Sequence, residues 1–140
     1  MSIKAGDRIP NGTLKHKTSD GVTDISTEQL FSGKKVVVFA VPGAFTPTCS
    51  AKHLPGFIAK AAEIRAKGVD TIACVSVNDA FVMYNWGKSL DIKKIKMLPD
   101  GNGDYTRQMG MLVKKENLGF GMRSWTVSYT HLRAHETDIN

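Results

Sequence analysis

Cysteine is scarce in this chain: Cys49 and Cys74 are the only two in 140 residues. Two thiols exclude a disulfide framework and a four-cysteine zinc site. Long apolar runs are missing as well. The longest centres on Val36 to Val41, far short of the roughly 20 residues that span a bilayer. The start, Met1-Ser2-Ile3-Lys4-Ala5-Gly6-Asp7, has no apolar stretch of the secretory kind, so the expectation is a cytoplasmic protein with reduced thiols. Acidic residues are outnumbered, 13 against 19 Lys and Arg, for a formal charge of +6. The basic residues are scattered, in pairs such as Lys34-Lys35, Lys93-Lys94 and Lys114-Lys115. No basic block or aromatic-basic interleaving appears, so neither nucleic acid nor membrane is expected as a partner. What remains is an ordinary globular composition, 41% hydrophobic and 23% charged, of a length that suits one domain.

Residues 1–33 are polar and rich in turn signals, Asn11-Gly12 and Asp20-Gly21, which predict short strands around the second turn. Ser26 or Thr27 would cap a short helix ending near Phe31. Lys35 to Val41 is β-branched and apolar on both faces, the pattern of a central strand. Pro42-Gly43-Ala44-Phe45-Thr46-Pro47 breaks it. From Thr48 the apolar residues recur at helical spacing through Leu54, Phe57, Ile58, Ala61 and Ile64, with Pro55 predicting a kink and Gly68 an end. Val69 to Val77 reads as a second buried strand, followed by a helix capped by Asn78 or Asp79 and carrying Phe81, Val82, Trp86 and Leu90. Ile95 to Leu98 reads as a third strand, and Asp104 to Met111 as a short helix. Alternating strands and helices imply a largely parallel α/β sheet, with working residues beyond the carboxyl ends of the strands.

Cys49 falls just beyond the first central strand, at the start of the following helix. A helix N-terminus, with its unpaired N–H groups and positive dipole end, favours the nucleophilic thiolate. Dithiol exchange is excluded, because the position three residues on is Lys52 rather than a second cysteine. A phosphatase loop is excluded, because the position six residues on is Pro55 rather than arginine. His53 could serve as a base, but no third residue identifies a protease triad. His131 and His135 share helical spacing without an evident third ligand, so no metal is expected.

The nine residues Pro42-Gly43-Ala44-Phe45-Thr46-Pro47-Thr48-Cys49-Ser50 resemble the active-site loop of the peroxiredoxins. Ala51-Lys52-His53-Leu54-Pro55-Gly56-Phe57 and Val75-Ser76-Val77-Asn78-Asp79-Ala80-Phe81-Val82 resemble its type II, or peroxiredoxin-5-like, branch. Gly119-Phe120-Gly121-Met122-Arg123-Ser124 resembles the loop where that branch keeps an arginine. The resemblance covers about residues 3 to 125. It implies a thioredoxin-like fold and a thiol-dependent peroxidase acting on hydrogen peroxide and alkyl hydroperoxides, with no cofactor. Cys49 would be the peroxidatic nucleophile that passes through sulfenic acid. Thr46 would reach both thiolate and peroxide, Arg123 would fold over the site and stabilise growing negative charge, and Pro42 would shield the sulfur. Glutathione, glutaredoxin or thioredoxin would regenerate the thiol, and a homodimer is plausible by analogy. The alternative is a redox-sensing or chaperone-like thiol protein that does not turn over.

Cys74 is expected inside the second strand, a buried thiol without a resolving role. Beyond about Trp125 the resemblance stops. Residues 1–127 are therefore expected to form the thioredoxin-like domain without its last strand hairpin and final helix, and residues 128–140 an atypical, irregular tail.

Overall fold

The computed structural model describes residues 6–47, 54–90, 92, 94–131 and 137–139. Strands β1 (Thr13–Thr18) and β2 (Gly21–Ser26) form an antiparallel hairpin across Asp20-Gly21. Ser26 then caps helix α1 (Thr27–Phe31) with a full capping box: its hydroxyl accepts from the Gln29 N–H, and the Gln29 side chain accepts from the Ser26 N–H. Two otherwise orphaned donors are thereby satisfied.

Strand β3 (Val36–Val41) is the centre of the molecule. It is followed by α2 (Leu54–Ala66), β4 (Thr71–Ser76), α3 (Ala80–Ser89), β5 (Lys96–Pro99) and α4 (Asp104–Gln108). A small hairpin pairs β6 (Leu112–Lys114) with β7 (Met122–Ser124). The chain closes with β8 (Val127–His131) and β9 (Thr137–Ile139). The main sheet has the order β5-β4-β3-β8-β9. Three of these strands run parallel, with Val36 opposite Thr71 and Cys74 opposite Met97. Strand β8 pairs antiparallel to β3, from Val36 opposite His131 to Ala40 opposite Val127.

Successive side chains on a strand point to opposite faces, and β3 fills both. Val36, Val38 and Ala40 join Leu14, Leu30, Tyr105, Met109 and Tyr129 on one side. Phe39 and Val41 join Leu54, Ala61, Cys74, Met83 and Trp86 beneath α2 and α3 on the other. The Phe39 and Phe57 rings stack at 3.9 Å between centroids, pinning α2 to the sheet. Burial of each large side chain contributes about 1.5–3 kcal/mol, which is why the run at 36–41 sits in the middle and not at an edge.

The expected α/β architecture is present, and one expectation is corrected. A closing strand pair is present, and the described residues of the expected irregular tail, up to His131 and at Thr137–Ile139, are strands. Val127 to His131 pairs along β3, and β9 pairs with it in turn, Tyr129 opposite Ile139. The cause is the alternation at Val127-Ser128-Tyr129. Tyr129, 1% exposed, drops into the core and places its hydroxyl 2.6 Å from that of Tyr105. Among the described residues no helix follows β8. Among them, too, no helix is long and apolar enough to cross a membrane.

Candidate active site

The carboxyl ends of β3 and β4 lie side by side, Val41 opposite Ser76. The chain leaves β3 at Pro42, which has no N–H to continue the ladder. Asn78, just past β4, ties down the loop that follows. Its Oδ1 accepts from the Ala44 N–H at 3.0 Å and from the Ser76 hydroxyl at 2.6 Å. The Asp79 carboxylate, one residue on, accepts from the Val82 N–H and caps α3. The two neighbours that sequence offered as alternative caps thus divide the work: Asp79 starts the helix and Asn78 shapes the loop.

Phe45 has φ +63°, and among the described residues no other non-glycine residue has positive φ. This left-handed conformation is costly for a bulky side chain. It turns the loop back on itself, so that the Thr46 hydroxyl donates to the Gly43 carbonyl at 2.7 Å. Having given its proton to the backbone, the Thr46 oxygen keeps lone pairs for an incoming O–H or N–H donor.

Arg123 enters from β7. Its Nε donates to the Phe120 carbonyl at 2.9 Å, and its Nη1 donates to the Val77 carbonyl at 3.1 Å and, more weakly, lies 3.5 Å from the Pro42 carbonyl. The Phe120 ring lies 5.6 Å from its Cζ. All these oxygens are neutral carbonyls, and among the described residues no carboxylate pairs with Arg123. The guanidinium is therefore fixed in direction but keeps its charge. Gly43 makes the approach possible: a Cβ there would stand 3.0 Å from Thr46 Cγ2 and 3.1 Å from Arg123 Nη1.

Three of the four residues singled out from sequence, Pro42, Thr46 and Arg123, are thus brought together around Gly43. Cys49 and His53 fall at 48–53, outside the described residues. Arg123 lies on a strand of a short hairpin, where sequence suggested a loop. Sequence reasoning did not single out Gly43, Ser76 or the Val77 carbonyl as parts of the site. Among the described residues no cluster of His, Cys, Asp and Glu could hold a metal ion.

The family model described as Redoxin matches residues 4–129. The chain is 54% identical over 131 residues to Peroxiredoxin sll1621 of Synechocystis, covering 87% of this chain and 69% of that one. The chain belongs to the peroxiredoxins. It falls in their type II, peroxiredoxin-5-like branch, being 49% identical over 124 residues to Peroxiredoxin-2B of Arabidopsis thaliana, which covers 87% of this chain and 76% of that one. A crystal structure of reduced Prx3 from Vibrio vulnificus, in complex with hydrogen peroxide, superposes with a TM-score of 0.92 at 44% identity, over 99% of this chain and 88% of that one. With a rhizobial peroxiredoxin of Sinorhizobium fredii the match spans only 53% of the relative's length. The peroxiredoxin family is one of thiol-dependent peroxidases, and its fold is the thioredoxin-like α/β fold described above.

Proposed function

We propose that this protein reduces hydroperoxides through Cys49. The observation that carries the reading is the Arg123 guanidinium, aimed by three carbonyls at the loop leading to Cys49 and unpaired with any carboxylate among the described residues. The Cys49 thiolate attacks the nearer peroxide oxygen. As the S–O bond forms, the O–O bond breaks and its electron pair leaves on the distal oxygen. Arg123 stabilises that growing charge, which a fixed dipole or cation does without reorganising. The distal oxygen takes a proton and leaves as water or an alcohol, and Cys49 is left as sulfenic acid. Thr46 orients the peroxide through its oxygen, and Pro42 limits water at the sulfur.

The cycle closes through an external thiol, with glutathione, glutaredoxin or thioredoxin as the proposed donor. One thiol condenses with the sulfenic acid, releasing water and leaving a mixed disulfide, and a second thiol displaces Cys49. Burial of Cys74 supports this one-cysteine route: it is 0% exposed, in β4 between β3 and β5. A homodimer is part of the same proposal, supported by the exposed Phe45 in the loop leading to Cys49 and the exposed Leu118 and Trp125, which flank Arg123 in sequence.

The test is a coupled assay following NADPH oxidation with each thiol donor. Continued turnover that vanishes in Cys49→Ser is the expected result. Arrest after one equivalent of peroxide with every donor would instead make the protein a sensor.

A further inference from the structure

The proposed chemistry uses the carboxyl ends of β3 and β4. At the far side of α3 and β5 an open groove of about 610 Å³ separates them from the β1–β2 hairpin. Five cationic side chains line it: Lys17, Arg65, Lys88, Lys94 and Lys96, with His16 beside them. Among the described residues no carboxylate lines it. These residues come from β1, α2, α3, β5 and the segment leading into β5, and the fold gathers them.

The charges are held, and among the described residues no ion pair neutralises them. Arg65 donates through Nη1 to the Asp70 carbonyl at 3.1 Å and through Nη2 to the Lys94 carbonyl at 2.6 Å, and its buried Nε has no hydrogen-bond partner among the described residues. The Lys17 ammonium rests 4.7 Å from the centre of the Tyr84 ring, and that of Lys88 lies 5.9 Å from it. Burial and the nearby Lys34 push the Lys96 ammonium below its ordinary range. Burial, and after it Lys96, does the same to His16. Like charges crowded into a partly desolvated wall raise one another's energy, and a bound anion relieves them.

We propose that this groove binds a small, multiply charged phosphate compound of the di- or triphosphate class. The lysines meet the phosphate oxygens, and the half-buried Ile92 and Met97, which also line the groove, face the uncharged remainder. Its concavity and size, within the roughly 300–1,000 Å³ usual for small-molecule sites, favour a compact ligand over an acidic protein surface. The site is separate from peroxide chemistry, so it stands or falls independently of the proposed activity.

The experiment is calorimetric titration of the 140-residue chain with pyrophosphate, ATP and a glutamate-rich peptide at low ionic strength. Saturable one-to-one binding of pyrophosphate or ATP is expected, weakened at least about tenfold in the Lys88→Gln/Lys96→Gln variant. The Lys88→Arg/Lys96→Arg variant should retain it, as should Lys114→Gln/Lys115→Gln, which removes the same charge elsewhere. Equal affinity for pyrophosphate and ATP would mean that only phosphate is read, and tighter ATP binding that the apolar floor takes part. No saturable binding, equal weakening by both glutamine variants, loss of binding in the arginine variant, or tighter binding of the peptide would each overturn the proposal.

Discussion

Replacing Gly43 by alanine adds one carbon atom at the most crowded point of the site. That atom would stand 3.0 Å from Thr46 Cγ2 and 3.1 Å from Arg123 Nη1, against the roughly 3.5–4.0 Å of relaxed contact. The two side chains must withdraw by about half an ångström. Neither is free to do so cheaply. Thr46 is held on the Gly43 carbonyl at 2.7 Å, and Arg123 is held by the Val77 and Phe120 carbonyls at 3.1 and 2.9 Å. Part of the network loosens, and the expected loss of stability is about 1–2 kcal/mol. The catalytic loss should be larger in proportion, because a misplacement approaching 1 Å costs up to about a hundredfold in rate. A fall in kcat/KM of about 10–100-fold is therefore expected. Stopped-flow mixing with hydrogen peroxide, followed through tryptophan fluorescence, gives the rate, and a thermal melt gives the stability. Gly56→Ala is the control. Among the described residues nothing outside the helix's own backbone lies within 4 Å of the carbon added at that position in α2, and removing a helical glycine should stabilise by about 0.5–1 kcal/mol. Wild-type peroxide reactivity in Gly43→Ala would refute the claim that the close approach of Thr46 and Arg123 matters.

Cys49→Ser should abolish peroxide consumption, and Arg123→Ala should lower kcat/KM by about 10²–10³ and cost about 1–2 kcal/mol of stability by leaving the Val77 and Phe120 carbonyls unpaired; the coupled NADPH assay reads the rates and a thermal melt the stability. Cys74→Ala should keep turnover while losing stability from the buried sulfur site, and intact mass after one equivalent of peroxide should show an added oxygen and not the loss of two hydrogens that a Cys49–Cys74 bridge would give. Tyr129→Phe should destabilise by about 1–2 kcal/mol by leaving the buried Tyr105 hydroxyl without its partner, and the double Tyr105→Phe/Tyr129→Phe variant should recover part of that loss in a denaturant titration. Burial raises the pKa of both tyrosines above the ordinary 10.0. Their stabilisation is whole below that pH and is lost above it, because the unfolded chain releases protons that the folded one retains. Melting temperature should therefore fall from about pH 10 upward, and less steeply in the double variant.

Much of the fold is legible because β3 and β4 are apolar on both faces, which only an interior strand tolerates. The boundaries follow from local chemistry: the Ser26 capping box, the Asp79 cap and the left-handed Gly68, at φ +91°. What escapes is held by partners distant in sequence. Strand β8 is mostly polar, and its register is fixed by β3, with Val36 opposite His131. The hairpin of β6 and β7 has three residues on each side, too few for any periodicity to show. A polar, short segment reads as a tail until the strand it covers is known.

The site divides in the same way. Pro42 and Thr46 sit in one short loop, so their proximity is local and readable. Arg123 is 81 residues from Pro42, and nothing in its own neighbourhood distinguishes it from a surface arginine; only the resemblance singled it out. The structure adds a physical reason for how it is held. A carboxylate partner would anchor the guanidinium more strongly than carbonyls do, but it would also cancel the charge that a developing oxyanion needs. Carbonyl oxygens of Val77 and Phe120 fix its direction through partial charges alone. Backbone groups leave no signature in the sequence, so no pattern of residue types could have announced this arrangement. It also sets the limit on substitution: lysine at 123 would keep the charge but lose the planar donors that span these carbonyls. Arg123→Lys should therefore recover little of the rate lost in Arg123→Ala, and full recovery would show that charge without direction is enough.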